Sequence, residues 1–270
     1  MSNGPTSIQF TAGSKIKLAD IPTRIETDDF DKKSAYKRIE ANANEMADYV
    51  RRMYAENKRA ILLVLQGMDT AGKDGTVRTV TRGVNPRSFQ VVSFKKPSEE
   101  ELDHDFLWRV HKAAPRKGNI GIFNRSHYED VLIVRVHNLV PESVWSGRYE
   151  LLNDFEKLLT DCGTKIVKCF LHISKEEQRE RLQARIDDPN KHWKFNIGDI
   201  AERKLWPAYQ EAYEVALNKC NTEHAPWHVI PSDRKWYRNL AVSELLLKTL
   251  KDLDPQFPEV EEDYSGLVIE

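Results

Sequence analysis

The sequence predicts an α/β fold in which five parallel strands lie between layers of helix, and three observations carry that expectation. Short apolar runs alternate with longer amphipathic stretches along most of the chain, the pattern of strands joined by crossover helices that cover both sheet faces. Ala60–Gln66 (AILLVLQ) is apolar almost throughout rather than alternating, as expected of a central strand buried on both faces. That run passes directly into a glycine-containing turn, Gly67 to Lys73, and a helical pattern follows it.

Residues 1–30 lack sustained periodicity and read as an extended arm. From about Phe30 to Asn57, Tyr36, Ile39, Ala43, Met46, Val50 and Met53 recur at three- and four-residue steps, one face of a helix. Beyond Ala60–Gln66 the pattern predicts a helix over Thr76–Val84, a strand over Gln90–Phe94 and a helix over Ser98–Ala113. Ser98 and Glu101 stand at capping-box spacing at the start of that last helix. Strands over Asn119–Phe123, Lys165–Ile173 and Trp227–Ile230 complete the five. Helices are predicted over Glu142–Leu159, Lys175–Ile186, Asp199–Cys220 and Arg234–Leu253. The expected organisation is one domain over residues 31–258, followed by an acidic tail, 259–270, lying on the surface or on a partner subunit.

Composition narrows the setting. The longest aliphatic run, Ala60–Leu65, is too short to cross a bilayer, and residues 1–17 lack the apolar block of a secretory signal. Cys162, Cys169 and Cys220 are an odd set without metal-ligand spacing, so reduced thiols in a cytoplasmic protein with no membrane partner are expected. A net charge of −1 argues against a general nucleic-acid coat. It conceals a basic strip, however: Lys73, Arg78, Arg82, Arg87, Lys95 and Lys96 face a single acid, Asp74, between Lys73 and Lys96. Such a strip fits a localised polyanion site; a solvated helix face would give the same pattern.

Gly67, Gly72 and Lys73 satisfy the spacing Gly-x-x-x-x-Gly-Lys of a phosphate-binding loop, the P-loop. Glycines let successive backbone N–H groups, including those of Ala71 and Gly72, turn inward around a phosphate. The helix that follows adds unpaired N–H groups and its positive dipole end, and Lys73 adds a mobile positive charge. The position after a strand and before a helix is the context this motif requires. Two features depart from the usual loop. Asp74 replaces the Ser or Thr that binds magnesium, and Asp69 lies within the loop, where facing phosphates would repel it without an intervening divalent cation. Asp69 is therefore the candidate metal ligand, directly or through water.

Arg78 and Arg82, four apart, extend the candidate anion site along the helix, and Lys95 and Lys96 emerge at the carboxyl edge where ligands bind in such sheets. The strand Asn119–Phe123 leads into Asn124, Arg125, Glu129 and Asp130. Asn124 is a neutral group where a magnesium-shell carboxylate is usual. Glu129 and Asp130 lie close enough to compensate, or are surface acids, and Arg125 is placed to clamp a phosphoryl group. Arg181 and Arg185 precede a charged segment with aromatic residues, Asp187–Phe195, which reads as a basic lid or as a plain exposed helix–loop–helix.

Several segments together resemble the polyphosphate kinase 2 family: GMDTAGKD (Gly67–Asp74), SFKKP (Ser93–Pro97), DFLWRV (Asp105–Val110), FNRSHYEDV (Phe123–Val131), EQRERLQARI (Glu177–Ile186), HWKF (His192–Phe195) and DRKWYRN (Asp233–Asn239). The resemblance implies a P-loop NTPase-like three-layer sandwich with a five-stranded parallel sheet, similar to thymidylate kinase, with a helical lid at about 178–198. It implies transfer of a terminal phosphoryl group between inorganic polyphosphate and nucleoside mono- or diphosphates, with magnesium or manganese, in a homodimer or homotetramer. Under it, Asp69 and Asp130 are the metal and catalytic carboxylates, Lys73 and Arg125 bind phosphate, and Arg181 and Arg185 belong to the lid. Asn124 and Glu129 are associated with the choice between AMP and ADP. Two other functions fit parts of the sequence. An ATP-dependent kinase of the same fold needs only a compact donor site, whereas the basic strip suits an extended one. A nucleotide-binding switch would carry a guanine-specifying Asn-Lys-x-Asp signature, and none is present.

Overall fold

The computed structural model describes residues 7–26, 30–259, 262 and 268–269. Most of the acidic tail (260–261, 263–267 and 270) and the first six residues of the arm lie outside them.

The strands are β1 (Ile8–Gln9), β2 (Ala60–Gln66), β3 (Phe89–Ser93), β4 (Ile120–Asn124), β5 (Thr164–His172) and β6 (Trp227–Pro231). They form one sheet in the order β1-β6-β5-β2-β4-β3, in which β2 to β6 are parallel. These five are the strands the apolar runs predict, each within a residue or so of the expected bounds. All seven residues of β2 are buried, as its unbroken apolar run requires.

The sheet nevertheless has six strands, not five. β1 joins the β6 edge antiparallel, with Ile8 opposite Val229 and Gln9 opposite His228. A two-residue strand offers no periodicity to read. The arm that carries it is packed rather than merely extended: Ile16 and Leu18 are buried.

The helices are α1 (Lys32–Glu56), α2 (Lys73–Val80), α3 (Glu99–Leu102), α4 (Trp108–Ala113), α5 (Ile133–Val136), α6 (Glu142–Trp145), α7 (Arg148–Asp161), α8 (Lys175–Ile186), α9 (Gly198–Lys204), α10 (Trp206–Lys219) and α11 (Lys235–Leu253). Side chains of α10 satisfy the backbone of the arm: Asn218 bonds both the N–H and the carbonyl of Ile16, and Glu214 accepts from the Leu18 N–H.

Three predicted helices are each split in two, for local reasons. In Ser98–Ala113 the capping box forms, but Asp105 accepts from the Leu107 N–H and starts a new turn. Glu142–Leu159 breaks at Ser146 and Gly147. Asp199–Cys220 breaks at Leu205, because Pro207 in the first turn of α10 has no N–H to continue the ladder. α2 also stops at Val80, earlier than expected, so Arg82 lies beyond the helix. All three cysteines are free thiols, and no helix among the described residues is long and apolar enough to cross a membrane.

The central position of β2 sets the site. The loop after it, Lys95 and Lys96 after β3, and the segment after β4 all leave the same carboxyl edge, where open α/β sheets bind ligands.

Candidate active site

The loop between β2 and α2 can be built only with glycine at two positions. Gly67 has φ +152° and Gly72 φ +107°. A Cβ at Gly67 would come within 2.7 Å of the Leu171 carbonyl, and at Gly72 within 1.8 Å of the Arg238 guanidinium. Lys73, the first residue of α2, donates to the carbonyls of Gly67 at 2.7 Å and Met68 at 3.3 Å. Burial and the charge of Arg125 lower its pKa, against the pull of Asp69, Glu129 and Asp74.

Two buried arginines brace this loop from behind. Arg181, on α8, donates to the carbonyls of Thr70 (2.8 Å) and Ala71 (3.3 Å), and also to Ser232 and Asp233, while Glu177 takes its Nε–H. Arg238, on α11, donates to the Ala71 carbonyl at 2.9 Å and to Asn239 Oδ1 at 2.8 Å, neither of them charged. Burial and the nearby Arg181 charge lower the Arg238 pKa. Arg181 was expected in the lid; its side chain is instead buried behind the loop. Arg238 is not among the expected site residues, although it lies within the recognisable segment Asp233–Asn239. Its signal is visible in the pattern, since it begins the stripe Arg238, Val242, Leu246 and Leu250, which is otherwise apolar and wholly buried.

In front of the loop is a cavity of about 580 Å³, whose walls include Lys73, Asp74, Lys95, Lys96, Arg125 and Arg185. Asp69 also lines it, and Arg125 donates to Asp69 Oδ1 at 2.9 Å. Burial opposes the Arg125 charge, but Glu129 and Asp69 outweigh it and raise the pKa. Asn124 donates to Asp74 Oδ1 at 2.6 Å, holding the first turn of α2 to the end of β4. Arg185 donates to the Lys194 carbonyl and stands 3.5 Å from Asp199. Arg78 and Arg82 are not brought to this cavity. Arg78 is exposed, and Arg82 lines a separate space of about 880 Å³ with Lys32, Lys33 and Lys37.

A second cavity of about 490 Å³ adjoins the first and shares Lys95, Lys96 and Arg125 with it. Its walls combine apolar groups, among them Phe94, Ile133 and Val140, with Asp130, Arg109 and Arg148. Arg148 donates to the Asp130 carbonyl and carboxylate, and Arg109 lies 3.8 Å from the other carboxylate oxygen. Burial lifts the Asp130 pKa to about 6, with Arg148 and Arg109 opposing and Glu129 adding to the rise. Glu129 stands between the two sites, lining a smaller pocket with Asp69, Arg125, Tyr209 and Tyr213. Gln66 donates to both Glu129 Oε1 and Ser126 Oγ, fixing Glu129 to the end of β2. Arg109 and Arg148 were missed, although Arg109 lies within a recognisable motif.

Asp69 and Asp130, the expected metal carboxylates, line the two adjoining cavities separately. Asp130 is paired in the second with Arg109 and Arg148. Among the described residues, no group of three or more His, Cys, Asp or Glu side chains is placed to hold a metal. Asp69 alone still fits magnesium, which keeps several waters and needs only one or two protein carboxylates beside phosphate oxygens.

The polyphosphate kinase 2 family model matches residues 29–258. An AMP/ADP-polyphosphate phosphotransferase of Meiothermus ruber is 56% identical over 218 residues, 81% of this chain and 82% of that protein. An ADP-polyphosphate phosphotransferase of Rhodopseudomonas palustris is 43% identical over 259 residues, 92% and 90% of the two chains. The crystal structure of polyphosphate kinase 2 from Arthrobacter aurescens TC1 superposes with a TM-score of 0.90 at 41% identity, over 97% of each chain. With the phosphate loop, its basic cavity and the matching length of these relatives in agreement, the chain belongs to the polyphosphate kinase 2 family.

Proposed function

We propose that the protein transfers the terminal phosphoryl group of inorganic polyphosphate to AMP and ADP, with GMP and GDP as further acceptors, in a reversible, magnesium-dependent reaction. The observation that carries this reading is the pair of adjoining cavities joined through Lys95, Lys96 and Arg125. The first, walled by cations around a phosphate loop, suits a polyanionic donor without a base. The second offers apolar walls for a nucleobase and Arg109 and Arg148 for phosphates. In this reading the fold is P-loop kinase-like, related to thymidylate kinase, and within the expected lid, 178–198, the part that closes is the segment after α8. A homodimer or homotetramer in the cytoplasm, without nucleic-acid or membrane partners, completes the proposal.

The chemistry asks the protein for positioning and charge neutralisation rather than covalent work. The nucleophile is an acceptor phosphate oxygen, already ionised near neutral pH, so no strong general base is needed. Arg125 lines both cavities and bridges the donor and acceptor phosphates. Lys73, Lys95, Lys96 and Arg185 neutralise the donor chain. Asp69 would hold the magnesium ion, which would neutralise charge on the phosphate oxygens when bound. Asp130, fastened by Arg109 and Arg148, orients the acceptor end of the site. Arg181 and Arg238 act through the loop, holding the carbonyls of Thr70 and Ala71, while the Ala71 N–H, expected at the phosphate, donates to the Met68 carbonyl.

The test is turnover of AMP and ADP with magnesium and either long-chain polyphosphate or ATP as donor. Phosphorylation supported by polyphosphate and weak with ATP is the expected result. Faster turnover with ATP would assign the chain an ordinary nucleotide-kinase activity instead.

A further inference from the structure

The middle of the sheet contains a charge that an apolar core does not need. Lys168, on β5, is fully buried, and so are Glu156 on α7 and His127 and Tyr128 just after β4. Its ammonium group donates to Glu156 Oε2 at 2.6 Å, to the Cys220 carbonyl at 2.6 Å and to the Tyr128 hydroxyl at 2.8 Å. The Tyr128 hydroxyl donates in turn to Glu156 Oε1 at 2.9 Å, and His127 Nε2 lies 3.1 Å from the same oxygen. Burial works against the Glu156 charge, but Lys168 and His127 outweigh it and lower its pKa. Replacing such a buried pair with apolar side chains is often neutral or stabilising, so core stability alone does not explain its presence.

What the network joins is more informative. The side-chain partners of Lys168 belong to elements that wall the acceptor cavity. His127 and Tyr128 begin the 3-10 turn His127–Val131, which carries Glu129 and Asp130. Glu156 lies on α7, whose first residue, Arg148, bonds Asp130. Cys220 caps α10, whose Tyr209 and Tyr213 line the smaller pocket that Glu129 shares with Asp69, not the acceptor cavity itself. None of the hydrogen bonds just given reaches the phosphate loop. We propose that Lys168, Glu156 and Tyr128 are positioning residues that fix Glu129 and Asp130 in the acceptor site and thereby set the preference between nucleoside mono- and diphosphates. The inference rests on the reading of the second cavity as the acceptor site. A small tilt of the 3-10 turn would move both carboxylates together, because they are adjacent on one short backbone segment.

The decisive variant is Tyr128→Phe, which keeps the ring in its place and removes only the bridging hydroxyl. It is joined by Glu156→Gln and by the double variant Lys168→Met/Glu156→Leu, which replaces the ion pair by apolar volume. AMP and ADP binding is measured by calorimetry without donor, and steady-state constants are then measured for acceptor and for polyphosphate. Weakening of acceptor binding by roughly 10-fold, as is common when a supporting hydrogen bond behind a site is lost, together with a changed AMP-to-ADP ratio and an unchanged KM for polyphosphate, supports the proposal. Folded Tyr128→Phe protein with the wild-type ratio and acceptor affinity overturns it, and so does a defect that falls equally on polyphosphate. If only Tyr128→Phe folds, that variant decides the matter. Failure of the wild type to use polyphosphate would refute the proposed function instead, since acceptor binding is read without a donor.

Discussion

The phosphate loop and the segment after α8 face the same cavity, yet they are held in opposite ways. Behind the loop, Arg181, Arg238 and Gln178 donate to the carbonyls of Asp69, Thr70 and Ala71, and all three side chains are buried. The segment Pro189–Lys194 and the residues after it contribute Lys194 and Asp199 to the cavity. They are tied by contacts such as Arg185 to the Lys194 carbonyl and His192 to the Ile186 carbonyl. Trp193 and Ile197 there are 79% and 80% exposed. Few buried contacts and uncovered apolar groups are the physical marks of an element that moves at low cost. Under the proposed function, the donor loop is built in advance, and the wall in front of it is the part proposed to close over a bound chain.

This contrast is open to direct attack, and the largest effects belong to the fixed side. Lys73→Ala and Asp69→Ala are expected to cut kcat by roughly 100- to 1000-fold, the scale of losing one charge-stabilising group. Circular dichroism and thermal melting should show the fold unchanged; near-normal turnover by folded Asp69→Ala protein removes the metal assignment. Arg238→Met tests whether the brace acts on the reaction or merely on the fold. Because the buried guanidinium has uncharged partners, apolar replacement should leave the melting temperature close to wild type while kcat/KM falls roughly 10-fold or more. A parallel fall in both quantities would make Arg238 a structural residue only.

Glu129→Asn should then lower the preference for AMP over ADP, measured as the ratio of kcat/KM values, and unchanged relative rates would remove Glu129 from selectivity. A smaller effect concerns the sheet edge that secures the arm. Burial, with Lys165 and Lys248 nearby, pushes the His228 pKa down to about 4. The unfolded chain therefore binds a proton near pH 6.5 that the folded chain refuses, so stability falls as pH drops from about 6.5 to 4, by about 3 kcal/mol at the end of that window. His228→Asn should flatten this part of the stability–pH curve, as followed by urea unfolding at several pH values. Trp193→Ala is expected to have the smallest effect. It should leave stability within about 0.5 kcal/mol, as for most exposed sites, and raise the KM for polyphosphate only a few-fold. A large loss of stability on this substitution would place Trp193 with the fixed elements and erase the contrast.

Much of this was legible in the chain. The unbroken run Ala60–Gln66 and the spacing of Gly67, Gly72 and Lys73 sufficed to place a buried central strand and the phosphate loop at its end, because both depend on local backbone and side-chain preferences. The five parallel strands followed from apolar runs, and Lys95, Lys96, Asn124 and Arg125 were expected at the carboxyl edge where they are found. The sixth strand was illegible, since a pairing of two residues is decided by the edge it meets rather than by its own pattern. So were the roles of single arginines. Arg78, Arg82 and Arg181 have the same composition signal as Arg125 and Arg185, and only packing separates them. The early end of α2 takes Arg82 away from the loop cavity, and burial turns Arg181 toward loop carbonyls.

The sequence by itself therefore determined the loop, the central strand and the family, all encoded in short contiguous stretches whose chemistry does not depend on distant neighbours. Only the tertiary structure decided which charges meet. It placed Asp130 with Arg109 and Arg148, set Arg238 behind Gly72, and closed Lys168 around Glu156 and Tyr128. These are contacts between residues far apart in the chain. Their partners are chosen by the geometry of the folded sheet and its helices, and no spacing along the sequence records it.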